Sequence, residues 1–441
     1  MIKKIKNKFS NELKIANDMV FTLGATIVMQ IILQIIVYPV LNKFFGESTT
    51  GTILYFMGIV YIFPQAVGTA LCNTRLISRK SMDSTNGDYT KILAVSCVVC
   101  AAICFYVGYK DEKDWLFALL FALFTVIYAV RMYALVEFRL AENFKGYFVY
   151  HAIISFGYLL GLGLYFLFQY WLVIFVIGEV FGIVYSLIKG KIFKSEKPIG
   201  NIKKNIKNYL LITFSILLRD GVNQYDKVVI FTLISSDLVA QYNAVSLIGK
   251  SMQMLINPVN TLIITYLSVK GAGFTKKKFK KFTLIALGAG VVFLLLCQIG
   301  TPIYIKLFYP GFYDNIIHYS FIINCGLILG FVASLFNSII MSQGKTTVYT
   351  AIQTVWGGLY IVLAYIFTQK YSILGLAVVA IVLNGLKMIA GMIIARITCV
   401  NDTAEAIDGA DEGIQIKDNA QLEDNSQIEE GTQTQAVEKH D

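Results

Sequence analysis

The sequence predicts an all-α, polytopic membrane protein with about twelve transmembrane helices, because of its composition and the spacing of its apolar stretches. Of its 441 residues, 56% are apolar and only 15% are charged, whereas about a quarter of the residues in a typical soluble protein are charged. Uncharged stretches of about 20 residues, long enough to cross the hydrocarbon layer as a helix, recur along the chain. These observations exclude a soluble enzyme, a nucleic-acid-binding protein and a secreted disulfide-linked domain.

The individual spans follow from the apolar stretches between charged loops. The first stretch follows a lysine-rich segment, but it is too long for a cleaved signal peptide and lacks a small-residue cleavage site, so we expect an uncleaved anchor. The predicted spans are residues 19–41, 51–71, 92–109, 115–138, 147–169, 171–188, 208–235, 239–268, 282–305, 317–341, 347–369 and 373–396.

The distribution of basic residues predicts the orientation. With a cytoplasmic N-terminus, the inner loops and N-terminal tail contain 25 Lys and Arg residues, and the outer loops contain five. Lys and Arg accumulate in cytoplasmic loops. The alternation therefore predicts a multi-pass protein with both termini in the cytoplasm.

Four segments are predicted: an N-terminal six-helix lobe (1–190), a Lys-rich cytoplasmic linker (191–207), a C-terminal six-helix lobe (208–397) and an acidic cytoplasmic tail (398–441). The prediction of two lobes is based partly on a weak internal repeat, in which two similar sequence segments lie about 200 residues apart. Such a repeat favours two parallel six-helix bundles, although chance similarity is the alternative. The tail contains 12 acidic residues, two Lys and no aromatic residue. Such a composition cannot bury a core, so the tail is predicted to be disordered.

Ionisable residues inside the spans are the candidate functional residues, because a charge in hydrocarbon costs at least about 2.5–3.5 kcal/mol and usually faces a partner or a wet cavity. At the helical period, span 7 has a polar face and span 8 has a second one. The residues of the span 7 face are Arg219, Asp220, Asn223, Gln224, Asp226 and Lys227. Those of the span 8 face are Asn243, Ser246, Lys250, Gln253, Asn257 and Asn260. Further deep charges are Arg131, Glu179 and Lys387.

The sequence leaves the pairing of these charges open. Span 8 contains no acid that could pair with Lys250, so its partner is Asp220, Asp226 or an anionic ligand. Glu179 could pair with Arg131 or exchange a proton. A purely structural ladder of salt bridges between helices is the alternative to a substrate-binding role.

Polar stripes on spans 1, 2, 7 and 8 predict a central polar cavity and hence a transporter. The sequence contains no Gly-x4-Gly-Lys-Ser/Thr motif, so ATP hydrolysis is not expected. Its short loops have no room for the long catalytic loop of a membrane enzyme such as a polymerase. No cofactor or metal is predicted. Gly157-x3-Gly161 and Gly178-x3-Gly182 are interpreted as sites of close helix packing.

The sequence also resembles the multidrug/oligosaccharidyl-lipid/polysaccharide (MOP) exporter superfamily and, within it, the Wzx-like polysaccharide-biosynthesis flippases. The similar segments are the run from Asp226 to Ala244 (DKVVIFTLISSDLVAQYNA) and the junction Gln343-Gly344-Lys345-Thr346. The acidic tail is not part of the family pattern.

The resemblance implies a flippase of the bacterial inner membrane that moves undecaprenyl-diphosphate-linked oligosaccharides to the outer leaflet by alternating access of two lobes. Its substrate-binding cations would correspond to Arg219 and Lys250, and less closely to Arg131. Glycosyltransferases and a polymerase are the expected partners, and no nucleic acid is. The candidate substrate contacts also include Asn223, Gln253 and Asn257.

The alternative is an ion-coupled multidrug or small-solute antiporter of the same fold. It requires an ion-coupling acid, for which Asp18, Glu179 and Asp226 are the candidates. Asp220, Lys227 and Lys387 complete the predicted set of charge partners.

Overall fold

The computed structural model describes residues 18, 20–78, 85–190, 202–254, 260, 276–343 and 345–399. Those ranges are almost entirely helical and contain no β-strand, which confirms the all-α fold class. We number the long helices α1 to α12 in chain order. They are α1 (20–45), α2 (47–78), α3 (Asn86–Glu112), α4 (Trp115–Ala134, continued by Val136–Leu140), α5 (Phe144–Phe168), α6 (Leu172–Lys189), α7 (Ile202–Leu233), α8 (Ser236–Met254), α9 (Lys276–Phe308), α10 (Ser320–Ser342), α11 (346–371) and α12 (373–398).

Two of the helix boundaries are single residues with a positive φ. Gly46 has φ +84° and ψ 172° and separates α1 from α2; glycine adopts such a conformation without steric cost because it has no Cβ. Ser372, with φ +55° and ψ −143°, separates α11 from α12. Both breaks lie in loops that the sequence predicts.

Eight helical stretches of the described residues are long and apolar enough to cross a membrane. The first, Val20–Ile77, and the last, Thr347–Thr398, each contain one of the two breaks and therefore supply two helices. α7 and α8, which carry the predicted polar faces, are the two long helices outside this set. The chain is a multi-pass membrane protein whose least apolar helices are adjacent in sequence.

The glycines of α5 and α6 allow these helices to approach each other closely. A Cβ at Gly157 would lie 2.6 Å from the Cα of Gly178, and one at Gly161 would lie 2.6 Å from the Cα of Ile174. A Cβ at Gly182 would lie 3.2 Å from Cγ of Arg131 on α4. These distances confirm the close packing that the glycine spacing predicts.

The helices fall into two compact units. The larger contains α1 to α7, α8 as far as Ser251, and the segments Leu296–Leu327 and Gln353–Leu383. Within it, α2 packs along α7, α4 and α3, and α6 packs against α5 and α4.

The smaller unit contains the described residues of Met252–Leu295, Ile328–Ile352 and 384–399. Within it, Phe336 of α10 is buried, and its ring centroid lies 6.1 Å from that of Phe279 and 6.0 Å from that of Phe282, both on α9. The division into lobes at residues 191–207 stays a prediction.

We expect single cysteines to report the predicted orientation. In a background lacking the native cysteines, a cysteine at Gly311 should react with an impermeant thiol reagent added to intact cells, because the loop before α10 is predicted to be extracytoplasmic. A cysteine at Lys280, in the predicted cytoplasmic loop, should react only after the cells are opened. Labelling of residue 280 in intact cells would contradict the orientation.

Candidate functional site

Lys250 of α8 forms an ion pair with Asp226 of α7. Lys250 Nζ donates to Oδ2 of Asp226, and the ammonium also lies 5.7 Å from the ring centroid of Tyr242. Asp226 is buried, and its second oxygen, Oδ1, is buried and has no hydrogen-bond partner among the described residues. The structure therefore selects Asp226 from the two acids that the sequence leaves open as partners of Lys250.

Lys227, the next residue on α7, points toward α2. Its ammonium lies 5.6 Å from the ring centroid of Tyr61, and a Cβ at Gly58 would lie 3.4 Å from Cδ of Lys227. Only 6% of the residue is exposed. Among the described residues, no carboxylate lies within ion-pair distance of Lys227. Burial of a lysine beside an aromatic ring is costly, because a cation–π contact replaces only part of its hydration.

Arg219 and Asp220 form a second pair on α7, seven residues and therefore about 10 Å before Asp226 along the helix. Arg219 Nε donates to Oδ1 of Asp220 at 2.8 Å, and its terminal nitrogen donates to Oδ2 at 3.3 Å. The Arg219 side chain is 60% exposed, whereas that of Asp220 is 8% exposed. The guanidinium can therefore leave Asp220 and reach another group without crossing packed side chains.

The polar faces of α7 and α8 carry three basic residues and two acidic ones. The basic residues are Arg219, Lys227 and Lys250, and the acidic ones are Asp220 and Asp226; elsewhere the two helices also contain Lys203, Lys204, Lys207 and Asp237. Asp220 accepts from Arg219 and Asp226 accepts from Lys250, so Lys227 is the basic residue of these faces that has no carboxylate within ion-pair distance among the described residues. An anionic group binding here would meet a lysine without an ion-pair partner.

The remaining predicted substrate contacts are placed as follows. Asn223 is exposed on α7, one turn from Arg219. Gln253 and Lys387 are half-buried and belong to the smaller unit, where a Cβ at Gly330 would lie 3.2 Å from the amide nitrogen of Gln253. Asn257 lies outside the described residues.

Arg131 and Glu179 form a fully buried pair between α4 and α6. Arg131 Nε donates to Oε2 of Glu179, a terminal nitrogen donates to Oε1 at 3.2 Å, and Tyr158 donates to Oε1 at 2.5 Å. The side chains are 2% and 0% exposed. The Tyr128 ring lies 4.6 Å from the guanidinium carbon. This geometry favours a structural role for Arg131 over the contact with substrate that the sequence suggests.

The polar stripes of α1 and α8 meet at one hydrogen bond. Asn243 Nδ2 donates to Oε1 of Gln34 at 3.3 Å, and the backbone carbonyl of Gln34 accepts a hydrogen bond from the Tyr304 hydroxyl at 2.7 Å. These contacts join three helices through polar groups inside the larger unit. They are the interhelical hydrogen bonds that apolar surroundings favour.

A second polar seam joins the start of α2 to the start of α8, and the sequence alone does not indicate it. Gln241 Nε2 donates to Oε2 of Glu47 at 2.7 Å, and the hydroxyls of Ser48 and Ser236 share a hydrogen bond of 2.8 Å. A Cβ at Gly51 would overlap the carbonyl of Ser236. The small residues Ser48, Gly51 and Ser236 are the sequence feature that is consistent with such a close approach of α2 and α8.

No protein-family model and no curated protein sequence matches the chain. Its fold, however, is similar to solved structures. An inward-facing multidrug resistance MATE family transporter of the MOP superfamily aligns with a TM-score of 0.64 and 11% identity, over 86% of this chain and 98% of its own. The lipid II flippase MurJ, in an inward closed conformation, aligns with a TM-score of 0.63 and 15% identity, over 88% and 89% of the two chains.

A variant of the Vibrio cholerae MATE transporter VcmN aligns with a TM-score of 0.56 and 12% identity, over 87% of this chain and 97% of its own. Identities this low establish the fold alone. All three similar proteins are transporters or flippases rather than enzymes. The chain therefore has the fold of MOP-superfamily transporters.

Proposed function

We propose that the protein moves undecaprenyl-diphosphate-linked oligosaccharides from the inner to the outer leaflet of a bacterial inner membrane. The flipped units would serve the synthesis of a surface polysaccharide such as a capsule or an O-antigen. The glycosyltransferases that build the unit and the polymerase that consumes it would be its partners in the pathway.

The basic residues on the polar faces of α7 and α8 carry this proposal. A diphosphate cannot cross hydrocarbon without its hydration shell unless it finds compensating charges. Lys227 has no carboxylate partner among the described residues, and the exposed Arg219 guanidinium can exchange Asp220 for a phosphate oxygen. Guanidinium and ammonium groups form short, charge-assisted hydrogen bonds with phosphate.

The two carboxylates would hold the cations between transport cycles. Asp226 accepts from Lys250, and Asp220 accepts from Arg219, so that neither cation is unpaired when no substrate is bound. A bound diphosphate would displace these acids from Arg219 and Lys250. Release of the substrate at the outer leaflet would restore the pairs.

The alternative function is an ion-coupled antiporter of multidrug or small-solute type. One observation favours it: the buried Oδ1 atom of Asp226 has no hydrogen-bond partner in the part of the chain that the structure describes, and it could receive a proton or a cation. Of the other two candidate acids, Glu179 is already bonded to Arg131 and Tyr158, and Asp18 is half-buried at the start of α1. Asp226 is therefore the strongest ion-coupling candidate.

Ligand-induced stabilisation of the purified protein separates the two functions. We expect a short-chain polyprenyl-diphosphate-linked sugar to raise the melting temperature, because a ligand that binds only the folded state stabilises it. The matching polyprenyl monophosphate should have a smaller effect, and a cationic hydrophobic drug should have none.

Lys227→Met should reduce the response to the diphosphate lipid, whereas Lys110→Met, which changes an exposed lysine at the end of α3, should preserve it. Stabilisation by the drug alone, with no response to the diphosphate lipid, would contradict the flippase proposal and favour the antiporter.

A further inference from the structure

The smaller unit has an unusual charge distribution. Its described residues contain no Asp or Glu and eight basic residues, five of which lie in the first turns of α9. The basic residues are Lys276, Lys277, Lys278, Lys280, Lys281, Lys345, Lys387 and Arg396. We call the five lysines of α9 the lysine face; all five are exposed.

Without an anionic partner, the lysine face destabilises the start of α9. The first turn of a helix carries partial positive charge and is stabilised by acidic residues, not by basic ones. Lys276, Lys280 and Lys281 have no carboxylate partner among the described residues. An anionic partner would therefore compensate both the mutual repulsion of the lysines and their position at the helix start.

The described part of the chain ends beside this face. The Cys399 thiol donates to the backbone carbonyl of Ala395 at 3.1 Å. Burial raises the pKa of this thiol, and the positive charge of Lys276 lowers it. Helices α9 and α12 also both contact the same residue of α10, Phe336. Phe336 packs against Phe279 of α9, and a Cβ at Gly391 of α12 would lie 3.4 Å from Cβ of Phe336. The end of α12 and the start of α9 are thus neighbours.

The residues that follow Cys399 are strongly acidic. Residues 400–441, which lie outside the described residues, contain 12 Asp and Glu residues and two Lys. The first acid, Asp402, is three residues after Cys399, so an extended chain carries it at most about 10 Å. A tethered segment of this kind experiences an effective concentration of the order of millimolar.

We propose that the acidic segment 400–441 binds back to the lysine face of α9 within the same molecule. The segment supplies the negative charge that the described residues of the smaller unit lack, and it shields the lysine face from anionic lipid headgroups. The contact is electrostatic and therefore sensitive to salt. The inference does not depend on the identity of the transported substrate.

Zero-length cross-linking of the full chain tests this contact. A carbodiimide activates a carboxyl group, the lysine Nζ attacks its carbonyl carbon, and the urea formed from the reagent leaves as an amide bond is made. With the protein in an uncharged detergent, mass spectrometry should find amide bonds that join acidic side chains of residues 400–441 to lysine side chains of residues 276–281. The yield should fall by about tenfold in 1 M salt, where the Debye length is about 3 Å.

The matched variants are two triple substitutions. Lys276→Gln, Lys280→Gln and Lys281→Gln together should reduce the yield of tail cross-links, whereas Lys110→Gln, Lys113→Gln and Lys306→Gln, at exposed lysines elsewhere, should preserve it. A mixture of isotopically labelled and unlabelled protein should give links within one chain only.

Two results would overturn the proposal. One is tail cross-links whose yield the α9 triple variant does not reduce. The other is a cross-link in neutral detergent that disappears in vesicles of phosphatidylglycerol, because lipid headgroups would then be the occupants of the lysine face in a membrane. Retention of the link in those vesicles supports the proposal.

Discussion

Glu179→Gln is expected to destabilise the folded protein by about 3–5 kcal/mol, the typical cost of removing one partner of a buried ion pair. The substitution leaves the guanidinium of Arg131 buried, with a neutral amide in place of its counter-charge. Tyr158, which donates to the same carboxylate, also loses a charged acceptor. Thermal unfolding of the detergent-solubilised protein, followed by size-exclusion chromatography, measures the effect.

Two control variants test whether the loss of stability comes from leaving one buried charge without its partner. The double substitution Arg131→Met and Glu179→Met removes both charges and should recover most of the lost stability, because apolar residues of similar volume often replace a buried pair without cost. Asp220→Asn breaks a pair whose arginine is 60% exposed and should cost only about 0–1 kcal/mol. Equal destabilisation by Glu179→Gln and Asp220→Asn would contradict the structural role of the Arg131–Glu179 pair.

The second large effect is expected on transport. Arg219→Ala and Lys250→Ala should each insert into the membrane yet lose substrate export, because each removes a cation proposed to contact the diphosphate. A charge-assisted hydrogen bond contributes about 1.5–3 kcal/mol, so each loss should lower export by about ten- to a hundredfold. Complementation of a flippase-deficient strain, with the protein level measured in parallel, reports the result.

A paired substitution separates a structural role of Lys250 from a functional one. Lys250→Met together with Asp226→Asn removes both charges of this pair, so that neither partner is left charged without the other. If Lys250 acts only through its pair with Asp226, this double variant should fold and export normally. We expect it to fold and to fail in export of the lipid-linked oligosaccharide.

The sequence predicts the helices better than their contacts. Residues 46 and 372 divide the chain where the predicted loops lie, because apolar stretches of bilayer length end at polar or conformationally special residues. The glycines of α5 and α6 also predict that these two helices pack closely, since only small residues permit two helix backbones to approach each other in this way. Both signals are local in the chain.

Which charges form pairs depends on how each helix is rotated relative to its neighbours, and a helical wheel of a single helix does not give that rotation. A wheel places Asp220, Asp226 and Lys227 on one broad face of α7, yet Asp226 meets α8 while Lys227 points to Tyr61 of α2. Arg131 and Glu179 are separated by 48 residues, and nothing local distinguishes a buried pair from a ligand-binding cation. The seam between Ser48 and Ser236 escapes prediction for the same reason.

Translocation in proteoliposomes tests the central claim most directly. Purified protein would be reconstituted into vesicles that contain an undecaprenyl-diphosphate-linked oligosaccharide in both leaflets, and the fraction accessible to an impermeant sugar-binding lectin would be followed with time. The wild-type chain should expose the inner pool, whereas the Arg219→Ala and Lys250→Ala double variant should leave it protected. Export of a cationic drug without any exposure of the lipid-linked sugar, or full exposure by the double variant, would contradict the account.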